Sequence, residues 1–171
     1  MAAFHSVAPV LTGKHVVLRP YRASDLDRLT QFYQSPRAAY VGGQQARDKV
    51  WRELGYDAGM WSLLGFGTWA IEERSSGEFA GAVALNHPTD YPETELGWIL
   101  FESFEGKGYA LEATRMAREF AFSTLAMTTL VSYIDPDNTR SIRLAERLGA
   151  VRDLHAKTPH DEPCLVYRHT P

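Results

Sequence analysis

The spacing of hydrophobic and polar residues changes several times along the chain, and each change predicts a new element. Short apolar runs predict seven strands, at residues 15–21, 67–73, 79–85, 95–100, 130–134, 150–155 and 163–169. Apolar residues three and four apart predict four helices, from residue 24 to about 34, over residues 45–62, after residue 108, and between residues 138 and 149. This order indicates one mixed α/β domain over residues 1–171, with helices on both faces of its sheet.

Local capping and turn signals refine these elements. Ser24 fits the N-cap of the first helix, and residues 75–78 have the chemistry of a hairpin turn. Residues 1–13 predict an irregular lead-in, and two glycines weaken the second helix. Three aromatic residues of that helix fit either the core or a substrate cleft, and core packing is the commoner role for any one of them: Trp51, Tyr56 and Trp61.

The junction between the fourth strand and the third helix carries the first chemical signal. Residues 95–100 form the apolar strand, and Gly106-Lys107-Gly108 precedes the helix. The two glycines let the backbone pass close to a bulky ligand, and the helix start offers unpaired N–H groups at the positive end of its dipole. We therefore expect the junction to hold the pyrophosphate of a cofactor, although an isolated Gly-x-Gly is more often a tight turn without a ligand.

Composition narrows the function classes. The net charge of −3 and the pI of about 6.1 give no reason to expect nucleic-acid binding. The chain has no long apolar run and no basic leader, so the expected compartment is the cytoplasm, away from membranes. Cys164, the one cysteine, lies in a predicted strand and is interpreted as a small buried hydrophobe rather than a catalytic thiol. The six histidines are scattered, so no metal is expected.

Three motifs in this order carry a resemblance to a known family. They are Glu95-Leu96-Gly97-Trp98, residues 105–110 with their two glycines, and Asn138-x-x-Ser141 followed by Leu148-Gly149. The chain resembles the GNAT acetyltransferases from Val16 to Tyr167, and most of all their ribosomal-protein N-acetyltransferase (RimJ/RimL-like) branch. The resemblance implies a GNAT-like, mostly antiparallel twisted sheet of about seven strands. It also implies acetyl transfer from acetyl-CoA to a primary amine of a protein N-terminus or a small molecule.

The resemblance also assigns the cofactor-binding residues. The family's loop, Gln/Arg-x-x-Gly-x-Gly/Ala, becomes Glu105-x-x-Gly108-x-Ala110 here, and the backbone amides of residues 106–111 would hold the pyrophosphate. Glu105 departs from the pattern, and we expect its carboxylate to point away from the phosphates. Lys107 either adds a cationic contact or is solvated. The implied cofactor-binding set is Trp98, Ile99, Leu100, Gly106, Lys107, Gly108, Tyr109, Ala110, Asn138 and Ser141.

An amine attacks a thioester only when it is neutral, and an alkyl ammonium has a pKa of about 10, so a base is needed. Glu95 matches a strand carboxylate that parts of the family use in this way, and a surface glutamate is an equally good interpretation. Three other residues just upstream could act instead: His87, Asp90 and Glu93. In the resembled fold a backbone N–H near residues 98–100 faces the thioester oxygen, with Gly97 as a bulge that splays the strand.

Protonation of the leaving thiolate is the second chemical requirement. Much of the superfamily uses a tyrosine at the position of Ala145, so that hydroxyl is absent here. The resemblance suggests Ser141 as its substitute, with a locally bonded helix serine as the alternative. Asn138 would bond the pantetheine arm or simply cap its helix. Because a thiolate is a tolerable leaving group, a mechanism without this acid is also open.

Two classes of function follow. The first is an N-acetyltransferase in which the amine attacks acetyl-CoA directly within a ternary complex. The second is a non-catalytic acyl-CoA-binding or regulatory module, which would bind CoA without turnover. A nucleotide-binding protein is disfavoured, because residues 106–108 lack the longer P-loop spacing. The first two helices and residues 86–94 are expected to select the amine acceptor, and both a monomer and a homodimer are compatible with the sequence.

Overall fold

The computed structural model describes residues 5–159 and 163–171 as one eight-stranded sheet with four α-helices. The strands are β1 Leu11–Thr12, β2 Val16–Arg19, β3 Thr68–Glu73, β4 Phe79–Asn86, β5 Glu95–Leu100, β6 Val131–Ile134, β7 Val151–Arg152 and β8 Leu165–Arg168. The helices are α1 Leu26–Tyr33, α2 Arg47–Leu64, α3 Tyr109–Glu119 and α4 Thr139–Arg147. The order of elements predicted from the sequence is therefore confirmed, with one additional strand at the start.

The sheet is mixed but mostly antiparallel. Its strand order is β1-β2-β3-β4-β5-β6-β8-β7, and the β5–β6 pair is the parallel one in the part of the chain described. The eighth strand is β1, which pairs Leu11 with Leu18 inside the segment predicted as an irregular lead-in. Residues 1–4 of that lead-in and residues 160–162 of the last predicted loop lie outside the described residues.

The two faces of the sheet differ in side-chain size. Residues paired in register project to the same side of a sheet, so the pairing separates the faces directly. One face carries large side chains that pack with Ala113 and Ala117 of α3 in the main core: Leu18, Trp69, Val83 and Leu96. The opposite face carries one row of small residues across three strands: Thr68, Ala84 and Gly97. The second face therefore has room for a ligand.

The start of α1 corrects one prediction. Ser24 is not an N-cap, because it lies inside a 3-10 turn, Ala23–Asp25, that precedes the helix. The Asp25 carboxylate fixes this turn by accepting the Arg22 backbone N–H at 2.8 Å. Asp25 is held in turn by the buried Arg19 guanidinium through two bonds of 2.8 and 2.9 Å. A buried ion pair from β2 thus sets where the first helix begins.

The second helix extends from Arg47 to Leu64, close to the predicted residues 45–62. Its Trp61 is buried against Trp69, with ring centroids 4.6 Å apart, so the core interpretation is right for that residue. It is wrong for Trp51 and Tyr56, which are 51% and 44% exposed. Gly55 and Gly59 lie inside the helix, where an added Cβ would meet nothing within 4 Å. The second helix therefore owes its stability to its buried side rather than to its propensity.

Candidate active site

A cleft of about 940 Å³ opens where β5 and β6 separate. Among the described residues the two strands share a single register pair, Glu95 with Val131, and β5 continues to Leu100 without a partner from that group on this side. The β4–β5 register runs through Gly97 without a shift, so the bulge predicted there is wrong. The splay itself is present, and it arises because the neighbouring strand diverges. Residues 98–100 line the cleft from one side.

The glycine loop closes one end of the cleft with main chain. Gly106 and Gly108 have φ values of +74° and +80°, which L side chains rarely adopt, and an added Cβ at either would meet nothing within 4 Å. The helix α3 begins at Tyr109, and no described side chain caps its first turn. Residues 106–111 all line the cleft. Free N–H groups and a helix dipole therefore adjoin open space, which is an arrangement suited to phosphate oxygens.

A carboxylate on β3 anchors this loop from behind. Glu73 accepts hydrogen bonds from the Ser76 hydroxyl at 2.6 Å, the Tyr109 hydroxyl at 2.5 Å and the Lys107 ammonium at 3.3 Å. The Ser76 and Tyr109 bonds, with the Lys107 charge, lower the pKa of Glu73 to about 2. The Lys107 side chain also lies over the Phe104 ring at 5.1 Å. The charge of Lys107 is therefore partnered within the protein, while its backbone lines the cleft.

The wall opposite the loop is formed by the start of α4. Asn138 is the N-cap of this helix, and its side-chain oxygen accepts the Ser141 N–H at 3.2 Å. The capping interpretation of Asn138 is therefore confirmed. Asn138 and Ser141 also line the cleft, where they are accessible to a ligand. Ala145, at the position of the family's tyrosine, is fully buried in a small cluster with Ile134 and Tyr167. No hydroxyl is available from Ala145.

The sequence predicted that the Glu105 carboxylate points away from the phosphate site, and this prediction is wrong. Glu105 lines the cleft and forms ion pairs with two arginines from distant segments, Arg37 and Arg140. Nη1 of Arg140 lies 3.0 Å from both carboxylate oxygens, and Nη2 of Arg37 bonds one of them. The prediction failed because it treated the carboxylate as unpaired, whereas both cations are supplied by other parts of the fold.

Glu95 lies at the point where β5 and β6 part. Burial raises the pKa of its carboxyl to about 7, although hydrogen bonds from the Tyr133 backbone and the Asn86 side chain oppose the shift. A Cβ added at Gly97 would lie 3.6 Å from the carboxyl carbon, so the glycine leaves space beside this group. The rings of Tyr91 and Tyr133 meet edge-on at 5.3 Å nearby. A carboxyl with such a pKa can exchange a proton near neutral pH.

The other predicted base candidates have different surroundings. Arg168 binds both oxygens of Glu93 at 2.7 and 2.9 Å, and these bonds lower the pKa of Glu93. His87 bonds the Thr94 hydroxyl through Nδ1 at 3.0 Å. Asp90 is exposed on the same loop. Of the carboxyl groups predicted as candidate bases, Glu95 is therefore the one with a raised pKa.

A second carboxyl on this side escaped the sequence analysis. Asp57 of α2 accepts a hydrogen bond from the Thr68 side chain, and burial raises its pKa to about 7. The pKa values of Tyr21 and Tyr33 are also raised, first by burial and then by the charge of Asp57. Thr68 and Gly97 project to the same face of the sheet. Asp57 bonds Thr68, and Glu95 lies two residues before Gly97 on β5, so both acids belong to that face. The signal was present in the helical stripe Val50, Leu54, Asp57 and Trp61, where one acid interrupts the apolar side.

Cys164 directly precedes β8. Cys164 is a half-buried free thiol whose pKa is raised by burial, which agrees with its interpretation as a small hydrophobe. Within residues 5–159 and 163–171, no three His, Cys, Asp or Glu side chains are grouped so as to hold a metal ion. In the same residues, no helix combines the length and apolarity needed to span a bilayer.

Comparison with known proteins identifies the class. The acetyltransferase (GNAT) domain family matches residues 15–151, and the chain therefore belongs to the GNAT acetyltransferases. The fold is similar to that of an acetyltransferase from Agrobacterium tumefaciens str. C58, with a TM-score of 0.91 and 38% identity, covering 96% of this chain and 95% of that one. Members of this family generally use acetyl-CoA as cosubstrate.

Two curated relatives match shorter segments. An uncharacterised protein of Bacillus subtilis (strain 168), YkkB, is 32% identical over 87 residues, which are 50% of this chain and 51% of the relative. Spermidine N(1)-acetyltransferase of Escherichia coli (strain K12) is 32% identical over 76 residues, which are 43% of this chain and 40% of that enzyme. The matches thus span about half or less of these relatives. The family match does not separate the ribosomal-protein branch from others.

Proposed function

We propose that this chain transfers an acetyl group from acetyl-CoA to a primary amine, by direct attack of the amine within a ternary complex. One observation carries the proposal: the main-chain anion site at α3 and residues 98–100 of β5 line the same cleft, and the half-buried Glu95 carboxyl lies at the start of that strand, at the β5–β6 junction. An acetyl donor and a proton acceptor would thereby meet at the splayed strands.

The free N–H groups at one end of the cleft indicate where the cofactor would bind. The N–H groups of residues 106–111 would bind the pyrophosphate, and the pantetheine arm would lie in the gap between β5 and β6. Beyond Glu95, alternate N–H groups of β5 face this gap without a strand partner, and one near residues 98–100 would bond the thioester oxygen. Asn138 and Ser141 would contact the arm from the other wall.

The chemical step needs one proton acceptor. The neutral amine attacks the thioester carbon, an N–C bond forms, and the C–S bond breaks as the tetrahedral intermediate collapses. Glu95, directly or through water, takes the proton that the amine nitrogen loses, and the CoA thiolate leaves with the sulfur electrons. The thiolate then takes a proton from Ser141 or from solvent. A pKa of about 7 for Glu95 matches this base role near neutral pH.

The acceptor is an amine, and two features favour a small cationic one over a protein N-terminus. Asp57 and Glu95 both lie on the small-residue face, with tyrosine rings beside them, and carboxylates with aromatic rings attract ammonium groups. One relative is a spermidine N(1)-acetyltransferase. The resemblance to the ribosomal-protein branch is the argument for a protein N-terminus.

Release of free CoA thiol from acetyl-CoA tests the proposal against a panel of diamines, polyamines, monoamines and ribosomal-protein N-terminal peptides. We expect turnover with cationic amines, lost in Glu95→Gln and kept in Glu78→Gln, which alters an exposed hairpin glutamate. CoA binding without turnover on any amine would instead support the non-catalytic module. Failure to bind CoA at all would refute both.

A further inference from the structure

Three segments that are far apart in the sequence meet at the mouth of the cleft through one carboxylate. Glu105 precedes the glycine loop, Arg37 follows α1, and Arg140 lies in the first turn of α4. Glu105 receives hydrogen bonds from both arginines, and all three residues line the cleft beside the anion site of residues 106–111. Two cations therefore share one anion at a place that already favours anions.

The ion pairs with Glu105 leave some guanidinium N–H donors of Arg37 and Arg140 without an acceptor in the described residues. Arg140 presents Nη1 to both carboxylate oxygens at 3.0 Å, and Arg37 uses Nη2. The Nε of Arg37 is buried and has no hydrogen-bond partner among the described residues. A guanidinium offers several N–H donors in a planar fork that fits phosphate as well as carboxylate oxygens. The buried, unpaired Nε is what a further acceptor oxygen from a ligand would satisfy.

We propose that Arg37 and Arg140 bind phosphate groups of the CoA moiety, and that Glu105 occupies them as an internal competitor while the cleft is empty. The proposal rests on the acetyl-CoA use proposed above. A CoA phosphate carries up to two negative charges against one on Glu105, so it displaces the carboxylate from the two arginines. The displacement lowers the apparent affinity, because only the fraction of molecules with freed arginines binds at full strength.

The competition has a direct consequence for variants. Removing the carboxylate charge in Glu105→Gln should strengthen CoA binding by about two- to tenfold, because partly exposed ion pairs of this kind are weak to moderate in strength. Removing a cation in Arg140→Gln should weaken CoA binding by a similar factor. If Glu105 merely held the arginines in place, Glu105→Gln would weaken binding instead.

The test is calorimetric titration of the full chain and its variants with CoA, 3′-dephospho-CoA and pantetheine. Glu102→Gln is the matched control, since it removes the same charge from an exposed residue three positions upstream. We expect the gain in Glu105→Gln with CoA, its absence with pantetheine, and no gain in Glu102→Gln. Titration with 3′-dephospho-CoA tells whether the 3′-phosphate or the pyrophosphate is the competing group.

The outcomes separate the two proposals. Equal or weaker CoA binding by Glu105→Gln, while the unaltered chain binds CoA, overturns the competition alone. Unchanged binding in Arg140→Gln and in Arg37→Gln overturns the assignment of the arginines. No CoA binding by the unaltered chain or any variant overturns the proposed function, and this inference with it.

Discussion

The donor and acceptor ends of the proposed site differ in what they are made of. The donor end consists mainly of backbone, with N–H groups at the start of α3 and along the splayed strand β5. The proposed acceptor end consists of side chains from separate elements, such as Asp57 from α2 and Glu95 from β5. A backbone site is altered by changes in chain geometry, whereas a side-chain site is altered by single functional groups. Substitutions at the two ends should therefore fail in different ways.

Glu95→Gln should give the largest effect and should be confined to the acceptor end. Loss of a general base typically lowers the rate by about 10²- to 10⁴-fold, while the affinity for CoA should hardly change. Steady-state kinetics and CoA titration of the same preparation separate the two quantities. A parallel loss of CoA affinity would contradict the division between the ends.

Gly108→Trp should break the donor end instead. The φ of +80° is strained for any other residue, and the indole would enter the open space at the start of α3. We expect CoA affinity to fall by about 100-fold or more, which corresponds to the loss of more than about 2.7 kcal/mol. Gly149→Trp is the control, because Gly149 has a similar φ of +81°, an added Cβ there would meet nothing within 4 Å, and the residue does not line the cleft. Equal CoA affinities for the two variants would count against a backbone site.

The pH profile sharpens the assignment of the base. Glu95 is protonated below a pKa of about 7 and cannot accept a proton there, so kcat should fall about tenfold per pH unit below that value. At saturating amine, the residual kcat of Glu95→Gln should no longer fall as the pH drops below about 7. A fall in kcat that persists in that variant would assign the proton transfer to another group.

The raised pKa of Glu95 also predicts that Glu95→Gln stabilises the folded chain while it lowers the activity. The pKa of Glu95 is about 7 in the folded chain and 4.5 ordinarily, so the folded chain binds this proton more tightly. Its contribution to stability is therefore lost as the pH rises from 4.5 to 7. Glu95→Gln should melt at a higher temperature than the unaltered chain at pH 8. Equal melting temperatures there would contradict the burial of the charge.

Asp57→Asn should have a moderate effect on amine binding alone. We expect the KM of a cationic amine to rise about tenfold, since one attractive charge is removed from the acceptor face. Asp48→Asn is the control on the same helix, because Asp48 is exposed and pairs with Arg52. If KM responded equally in both variants, the effect would reflect overall charge rather than the site.

Lys107→Gln should have the smallest effect. Its ammonium is half exposed and is engaged by Glu73 at 3.3 Å, so it contributes little to a phosphate site made of N–H groups. We expect a change of less than about twofold in CoA affinity, measured beside Gly108→Trp. A much larger loss would mean that the donor end depends on this side chain as well as on the backbone.

The contrast between the ends also explains what the sequence predicted. The strand, glycines and helix of the donor end are consecutive, so periodicity and backbone preferences predicted their placement and order. The partners of Glu105 lie 68 and 35 residues away along the chain, and no local pattern connects them. Asp57 interrupts an apolar helical stripe, which is a local signal, but its neighbours on the sheet depend on Thr68 and on the register of three strands. The strand β1 was missed because two residues carry no periodic signal.

The sheet ends on very short strands at both borders. β1 and β7 have two residues each, so few backbone groups are available for pairing with another sheet. Strand addition between copies needs a longer row of free N–H and C=O groups, and short borders of this kind protect a protein from fibril-like association. Pairing between copies at β1 or β7 would therefore form few backbone hydrogen bonds.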